Sequence, residues 1–274
     1  FGSRFLLLVI MGLPTVVNVH YASPTDNYEI IVQDAPPSEI KDGKPVINAK
    51  VLQACCEVFH SVIDQLQPEP CGRSASAYAY VAKHACMLAV GGRDANATVL
   101  RSMDICKDGE SESFAGPDLS KAREHFAIAP ACADRFVFCA GGQDEMQKAL
   151  PSVEILTFGH TGIPVGVWHE LDAKLHVARL DLGLISYIGG LVAIGGMDGA
   201  GNLLSSVECL DTRIGGASWR PYPDLRVPRR MPIIRVLNAT SIVCMGGYDE
   251  AGQLLRSVEV YDPHLNEWVL GVFD

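Results

Sequence analysis

Short apolar runs that end in a pair of glycines recur along most of the chain. The runs CMLAV, FVFCA, LVAI and SIVCM precede the pairs at residues 91–92, 141–142, 195–196 and 246–247, so successive pairs are 50, 54 and 51 residues apart.

Eleven residues after the first Gly of each pair, a Ser opens a second strand-like segment. These segments begin at Ser102, Ser152, Ser206 and Ser257. An aromatic residue follows in each unit, at Phe114, Trp168, Trp219 and Trp268. With Gly, Asp and Pro between the apolar runs, each unit predicts four short strands joined by turns.

A four-stranded sheet of this size cannot bury both of its apolar faces alone. About 50 residues per four-stranded unit is the spacing of a β-propeller blade, in which neighbouring sheets stack face to face. The sequence therefore predicts an all-β propeller with four-stranded antiparallel blades. Residues 73–274 hold four clear repeats, and residues 1–72 are predicted to supply one or two degenerate units.

The first 72 residues allow two interpretations. Residues 28–33 and 42–66 align as a degenerate blade that leads to Arg73. Alternatively, residues 51–66 form an amphipathic helix inserted in a loop, because Val51, Cys55, Val58, Val62 and Leu66 would share one face. The blade is the preferred interpretation. The apolar run at residues 5–19 is interrupted by Gly12 and Pro14 and is interpreted either as two strands or as a targeting segment.

The repeated residues resemble the kelch family. The segments at residues 246–249 (GGYD) and 257–262 (SVEVYD), followed by Trp268, match the family pattern almost completely, and the resemblance covers about 200 residues from Arg73 onward. The resemblance implies a kelch-type β-propeller. Such propellers usually close with six blades, whereas this chain holds between five and six units, so we expect that a part of the ring is missing.

The charge balance bears on the class of partner. The chain has 22 Lys and Arg against 32 Asp and Glu, a formal net charge of −10, and no basic run. Nucleic acid and anionic membranes attract basic surfaces, so neither is expected as a main partner. The nine cysteines show no metal-binding spacing. Cys139 and Cys244 stand where other repeats have Ala, which predicts buried packing thiols. Reduced thiols favour a cytoplasmic protein. No metal or cofactor is expected.

An acid and an Arg also recur in every unit. Because a catalytic reaction needs one constellation rather than a copy in each blade, we interpret these residues as structural ion pairs or backbone clamps. The acids are Asp104, Glu154, Glu208 and Glu259, and the arginines are Arg73, Arg123, Arg179 and Arg229.

The kelch resemblance implies that function depends on loops at one mouth of the propeller channel. In kelch domains that capture peptides, the residue after Gly-Gly and those one or two places after the Arg line the pocket. On this chain the first set is Arg93, Gln143, Met197 and Tyr248, and the second is Ser74, Glu124, His125, Asp181 and Arg230.

We therefore expect a non-catalytic module that binds a protein or peptide partner, as a substrate receptor or a scaffold. No catalytic residue is assigned. One alternative is a propeller enzyme acting on a sugar, similar to galactose oxidases or sialic-acid mutarotases. Another is a membrane-anchored extracellular propeller, suggested by residues 5–19 and by two Asn-x-Thr triplets, at Asn96 and Asn238.

Overall fold

The computed structural model describes residues 29–30, 32–33, 35–64, 73–108, 112–159, 164–212 and 218–273. The interpretation of residues 5–19 lies outside this range. The first described elements form a small N-terminal unit of three strands and one helix. They are β1 (Glu29–Ile30), β2 (Ser38–Lys41), β3 (Lys44–Ile47) and α1 (Ala49–Asp64).

Four blades of four antiparallel strands each follow, as the repeats predict. The sheet of the fourth blade also contains β1, which pairs in parallel with the first strand of that blade. Blade 1 contains β4 (Ala77–Val81), β5 (Cys86–Val90), β6 (Met103–Lys107) and β7 (Ser113–Ala115). Blade 2 contains β8 (Ala127–Ala131), β9 (Phe136–Ala140), β10 (Val153–Phe158) and β11 (Pro164–Glu170). A short strand, β12 (Arg179–Leu180), precedes blade 3, which contains β13 (Gly183–Tyr187), β14 (Gly190–Ile194), β16 (Val207–Asp211) and β17 (Arg220–Tyr222). β15 (Met197–Asp198) pairs with β12. Blade 4 contains β18 (Ile233–Leu237), β19 (Ser241–Met245), β20 (Ser257–Asp262) and β21 (Glu267–Val272).

The blades stack in chain order, with their first strands β4, β8, β13 and β18 side by side. Three apolar clusters fill the three interfaces between neighbouring blades. The recurring aromatic residues take part in these clusters, since Trp168, Trp219 and Trp268 are almost fully buried. Phe114 is the exception, because its ring is 37% exposed on the short outer strand β7.

The N-terminal unit differs from the degenerate blade that the sequence favoured. α1 begins after Asn48, whose side-chain oxygen accepts a hydrogen bond from the Lys50 N–H at 3.0 Å and caps the helix. Val51, Cys55 and Phe59 recur every four residues and are buried against blade 4. The helical interpretation of this segment is therefore correct, because a period close to 3.6 residues places these side chains on one face.

The helix packs where another blade would lie against blade 4. A Cβ added to Gly246 would lie 2.8 Å from the Phe59 ring, and one added to Gly91 in blade 1 would lie 2.8 Å from the Phe126 ring of blade 2. Phe59 thus takes the same place on blade 4 that Phe126 takes on blade 1. The segment before α1 is also attached to blade 4, because Asn238 accepts a hydrogen bond from the Val32 N–H at 2.8 Å.

Candidate functional site at the mouth of the propeller

The segment that leads into the first strand of each blade, here called the connector, carries the recurring Arg. In blade 2 the Arg123 guanidinium donates to the Gly141 carbonyl at 2.9 Å, to the Ser152 hydroxyl at 3.0 Å and to Glu154 Oε1 at 2.6 Å. The side chains of Arg123 and Glu154 are both fully buried. The prediction that these recurring residues are structural clamps is confirmed by this geometry.

The same clamp recurs in the other blades. Arg179 pairs with Glu208 at 2.5 Å and Arg229 pairs with Glu259 at 2.8 Å, again in the interior. Arg73 pairs with Asp104 in blade 1, where the Asp104 side chain is 30% exposed. The main chain at the Arg also joins blades, because the Arg123 carbonyl accepts a hydrogen bond from the Gly92 N–H at 2.9 Å. Arg123, Arg179 and Arg229 therefore each fix the connector between two consecutive blades.

The glycine pairs allow the connectors to approach the blades closely. Gly92 has a φ of +85°, and a Cβ at this position would lie 2.6 Å from the Ser74 carbonyl oxygen. Gly142 has a φ of +88° and faces the Glu124 carbonyl in the same way. Only glycine combines this backbone conformation with so short an approach. The pairs thus bring the two sets of predicted mouth residues together.

The two predicted sets meet as backbone pairs. Ser74 and Arg93 exchange two hydrogen bonds, of 2.7 and 2.8 Å. Glu124 pairs with Gln143 and Arg230 pairs with Tyr248 in the same way. In blade 3 the partner of Met197 is Leu180, which the sequence analysis did not select. Leu180 is the residue directly after Arg179, so the repeat register contained the signal.

A second row of residues, two places after each Arg, joins the blades around the mouth. The His125 N–H donates to the Ala75 carbonyl at 3.0 Å, the Asp181 N–H to the His125 carbonyl at 2.8 Å, and the Met231 N–H to the Asp181 carbonyl at 2.7 Å. All four residues have φ between 52° and 57°, in the left-handed region that non-glycine residues seldom adopt. His125 and Asp181 belong to the predicted mouth residues, whereas Ala75 and Met231 do not, because their apolar side chains give no chemical signal in the sequence.

The first ionic cluster at the mouth joins blades 1 and 2. The Glu124 carboxylate is almost fully buried and accepts hydrogen bonds from Arg93 Nε at 2.7 Å, from Arg93 Nη2, and from Gln143 Nε2 at 3.0 Å. Burial alone would raise the pKa of Glu124, but these hydrogen bonds and the nearby cationic groups lower it below its ordinary value. Arg93 also donates through Nη1 to the Ala97 carbonyl at 3.0 Å. Its guanidinium is thus bonded through all three nitrogens.

The second ionic cluster joins blades 2, 3 and 4. His125 Nδ1 lies 2.8 Å from Asp181 Oδ1, and Arg230 Nη1 lies 3.7 Å from Asp181 Oδ2. The Asp181 side chain is 2% exposed, whereas those of His125 and Arg230 are 23% and 22% exposed. Burial alone would lower the pKa of His125, but the hydrogen bond to Asp181 and the charges of Asp181 and Glu124 raise it above its ordinary value.

The remaining predicted mouth residues contribute less to these clusters. Ser74 and Met197 are half-buried and belong to the mouth through their backbone pairs. Tyr248 is also half-buried, and its hydroxyl forms no hydrogen bond to any residue of the described chain. The structure therefore brings all nine predicted residues to one end of the blades, with six of them in the two ionic clusters.

Other candidate chemistry lies away from the mouth. Cys139 and Cys244 are fully buried, and burial raises the pKa of each thiol to about 12, as expected for packing cysteines. Within the described ranges, no group of three or more His, Cys, Asp or Glu residues is arranged to hold a metal ion. In the part of the chain that the structure describes, no helix has both the length and the apolar character needed to cross a membrane.

Comparisons with known proteins agree with this architecture. The profile of the family described as "Kelch motif" matches residues 188–226 and 238–271. A search of curated proteins found no match. Among solved structures, the chain is similar to the one titled "Structure of YjhT", with a TM-score of 0.59 and 11% sequence identity over 74% of this chain and 70% of that chain. At this identity the similarity concerns the fold alone.

Proposed function

Because this chain belongs to the Kelch motif family and has the kelch-type β-propeller fold, we propose that it is a non-catalytic module that binds a protein partner through the mouth loops. The observation that carries the proposal is that the Arg230 guanidinium makes fewer hydrogen bonds within the protein than the other arginines near the mouth. The clamp arginines each donate to a carboxylate of their own blade, and Arg93 donates through all three guanidinium nitrogens, whereas Arg230 keeps only a loose ion pair with Asp181 at 3.7 Å. Arg and Tyr are the usual anchors of protein interfaces, and Tyr248 lies beside Arg230.

The partner role follows from the same surface. A propeller that presents loops from all blades at one mouth suits recognition of a protein segment, either as a substrate receptor or as a scaffold. We also propose a cytoplasmic location. It is supported by the buried, free thiols of Cys55, Cys86, Cys139 and Cys244, which suit a reducing compartment.

Affinity capture tests the proposal, with variants at positions whose contacts the structure defines. The baits are the wild-type chain, the Arg230→Ala/Tyr248→Ala double variant, and Arg220→Ala on the exposed outer strand β17 as a matched control. Arg93 and His125 are left intact because they bond neighbouring blades to each other. Thermal melts establish that the three baits are equally folded.

The proposal predicts that a partner is captured by the wild-type chain and by Arg220→Ala but is lost with the double variant. Equal capture by all three baits would contradict recognition at the mouth. Failure of every bait to capture a partner would contradict the interaction role itself.

One observation favours a second candidate, a propeller enzyme acting on a sugar. A carboxylate bonded to His Nδ1 orients the imidazole so that Nε2 faces away from it, and this is how many general bases are held. Anomeric exchange measured by NMR on a panel of sugars, together with copper content by elemental analysis, distinguishes the two. Turnover that His125→Gln abolishes would favour the enzyme, whereas the interaction proposal predicts no turnover.

A further inference from the structure

Arg230 has hydrogen-bond donors that the protein does not use. Its guanidinium lies 3.7 Å from Asp181 and donates no hydrogen bond to any residue within the described ranges. Arg93, at the corresponding mouth of blade 1, donates through all three nitrogens to Glu124 and Ala97. A guanidinium that is mostly withdrawn from water retains a strong preference for an anionic acceptor.

Tyr248 adds a second unused donor on the same side. Arg230 and Tyr248 exchange backbone hydrogen bonds of 2.9 and 3.2 Å, which makes them a directly opposed antiparallel pair. The side chains of such a pair point to the same face, with Cβ atoms about 5 Å apart. The phenol hydroxyl and the guanidinium are therefore available to one ligand.

His125 supplies a third hydrogen-bonding group, and its protonation decides whether this group donates or accepts. Because Nδ1 is bonded to Asp181, Nε2 is the nitrogen left for a ligand. Nε2 is an acceptor in the neutral ring and a donor in the imidazolium. The charged groups around His125 are Asp181 from blade 3, Glu124 on its own connector and Arg93 from blade 1.

The charges of this sector sum to a positive value in a protein that is acidic overall. With His125 protonated, three cations, Arg93, His125 and Arg230, face two carboxylates, Glu124 and Asp181. Both carboxylates are buried, whereas the three cations reach solvent. A ligand at the mouth therefore meets the cations, although the chain carries a formal net charge of −10.

We propose that Arg230, Tyr248 and His125, with Asp181 behind them, form a binding site for one carboxylate group of a ligand. This inference rests on the proposed function, because it names the chemistry that the mouth recognises. An acidic side chain of a bound protein segment and a free small carboxylate share this chemistry. A planar carboxylate matches the guanidinium fork and can also accept from the phenol and from the imidazolium.

The site has a built-in dependence on pH. A bound carboxylate favours the imidazolium, so binding strengthens as pH falls through the pKa of His125, and binding in turn raises that pKa further. Glutamate side chains stay ionised down to about pH 5, so the ligand keeps its charge over this range.

The experiment is an NMR titration of the whole chain with small probes at constant ionic strength. The probes are the blocked tripeptide Ac-Gly-Glu-Gly-NH2, its Gln counterpart, and acetate as the free carboxylate, each at pH 5.5, 7 and 8.5. The readouts are the His125 Cε1–H resonance and the Arg230 Nε–H resonance. Spectra of His125→Gln and Arg230→Gln assign them.

The proposal predicts that the Glu peptide shifts both resonances, that the Gln peptide shifts neither, and that affinity is greatest at pH 5.5. Arg230→Gln should weaken binding at least about tenfold and Tyr248→Phe a few-fold, because each removes a hydrogen bond to a charged group. Arg220→Gln should leave affinity unchanged. Equal shifts by the Glu and Gln peptides, or affinity independent of Arg230, would overturn the proposal.

The probes also distinguish a protein segment from a small molecule as the source of the carboxylate. Together with the capture experiment, they test the partner-binding role and the carboxylate site separately. Tighter binding of the Glu peptide than of acetate indicates a protein segment, and equal binding indicates a small carboxylate. If the mouth captures a partner but no carboxylate probe binds, the carboxylate inference alone fails. If the probes bind but no partner is captured, the interaction role fails and the carboxylate site stands.

Discussion

Single residues at the mouth differ in how completely the protein uses their hydrogen-bonding groups. Arg179, for example, donates to the Gly195 carbonyl, the Ser206 hydroxyl and the Glu208 carboxylate at once, which the several donors of the rigid guanidinium fork allow. Glu208 and its equivalents accept further backbone N–H groups from the connector, such as that of His176 at 2.7 Å. These residues are structural, while Arg230 and Tyr248 remain available for a ligand.

Removing the charge of a buried clamp acid should be more damaging than removing that of an exposed one. Glu154→Gln leaves Arg123 as a buried cation without its counter-ion, which should cost about 3 kcal/mol of unfolding free energy. Asp104→Asn removes a pair in which the acid is partly hydrated, and should cost about 1 kcal/mol or less. Urea denaturation followed by Trp fluorescence measures both; equal losses would contradict the structural role of burial.

The raised pKa of His125 makes its contribution to stability depend on pH. Because the pKa in the folded protein lies above the unfolded value of about 6.5, the contribution is fully present below pH 6.5 and is lost as pH rises through the folded-state pKa. The wild-type chain should therefore exceed His125→Gln in unfolding free energy at pH 5.5, with a smaller excess at alkaline pH. A difference that is constant with pH would contradict the His125–Asp181 pairing.

Among the elements, α1 has the least obvious role. It covers the face of blade 4 with Val51, Cys55 and Phe59, and the Phe59 ring stacks on Phe273 with centroids 4.8 Å apart. It also reaches the glycine pair of blade 4, as the next blade does in blades 1 to 3. The helix therefore protects an apolar sheet face that would otherwise contact water.

Truncation of Phe59 tests the role of the helix. Phe59→Ala should lower the unfolding free energy by about 3 kcal/mol, because it removes a large side chain from the interior and leaves a cavity. Gln53→Ala, on the exposed face of the same helix, is the control and should change stability little. Urea denaturation measures both, and a Phe59→Ala protein as stable as the control would show that the helix does not support blade 4.

The sequence predicts the strands of the blades better than the elements that lack the repeat. Blades 1 to 4 follow from a register that recurs with fixed offsets, and the mouth residues follow from the same register. The segment at residues 51–66 fits both a degenerate blade and a helix, and the burial of Val51 and Cys55 on one face decides for the helix. The pairing of Arg93 with Glu124, and the unused donors of Arg230, depend on side-chain positions that periodicity does not encode.

The whole molecule combines a repeated scaffold with a non-repeated mouth. The clamps, glycine pairs and interblade clusters are nearly the same in each blade, so they account for the fold and not for specificity. The residues after each clamp Arg change from Ser74 to Glu124, Leu180 and Arg230, which gives every blade a different side chain at one end. Recognition by a β-propeller of this kind is therefore expected at that end.

Hydrogen–deuterium exchange of the whole chain, with and without the captured partner, shows directly whether recognition occurs at the mouth. The partner should slow exchange in the loops after the glycine pairs and in the connectors at residues 73–75, 123–125, 179–181 and 229–231. The opposite ends of the blades, at residues 82–85, 132–135, 188–190 and 238–240, should exchange as before. Protection confined to those opposite turns or to α1 would contradict recognition at the mouth.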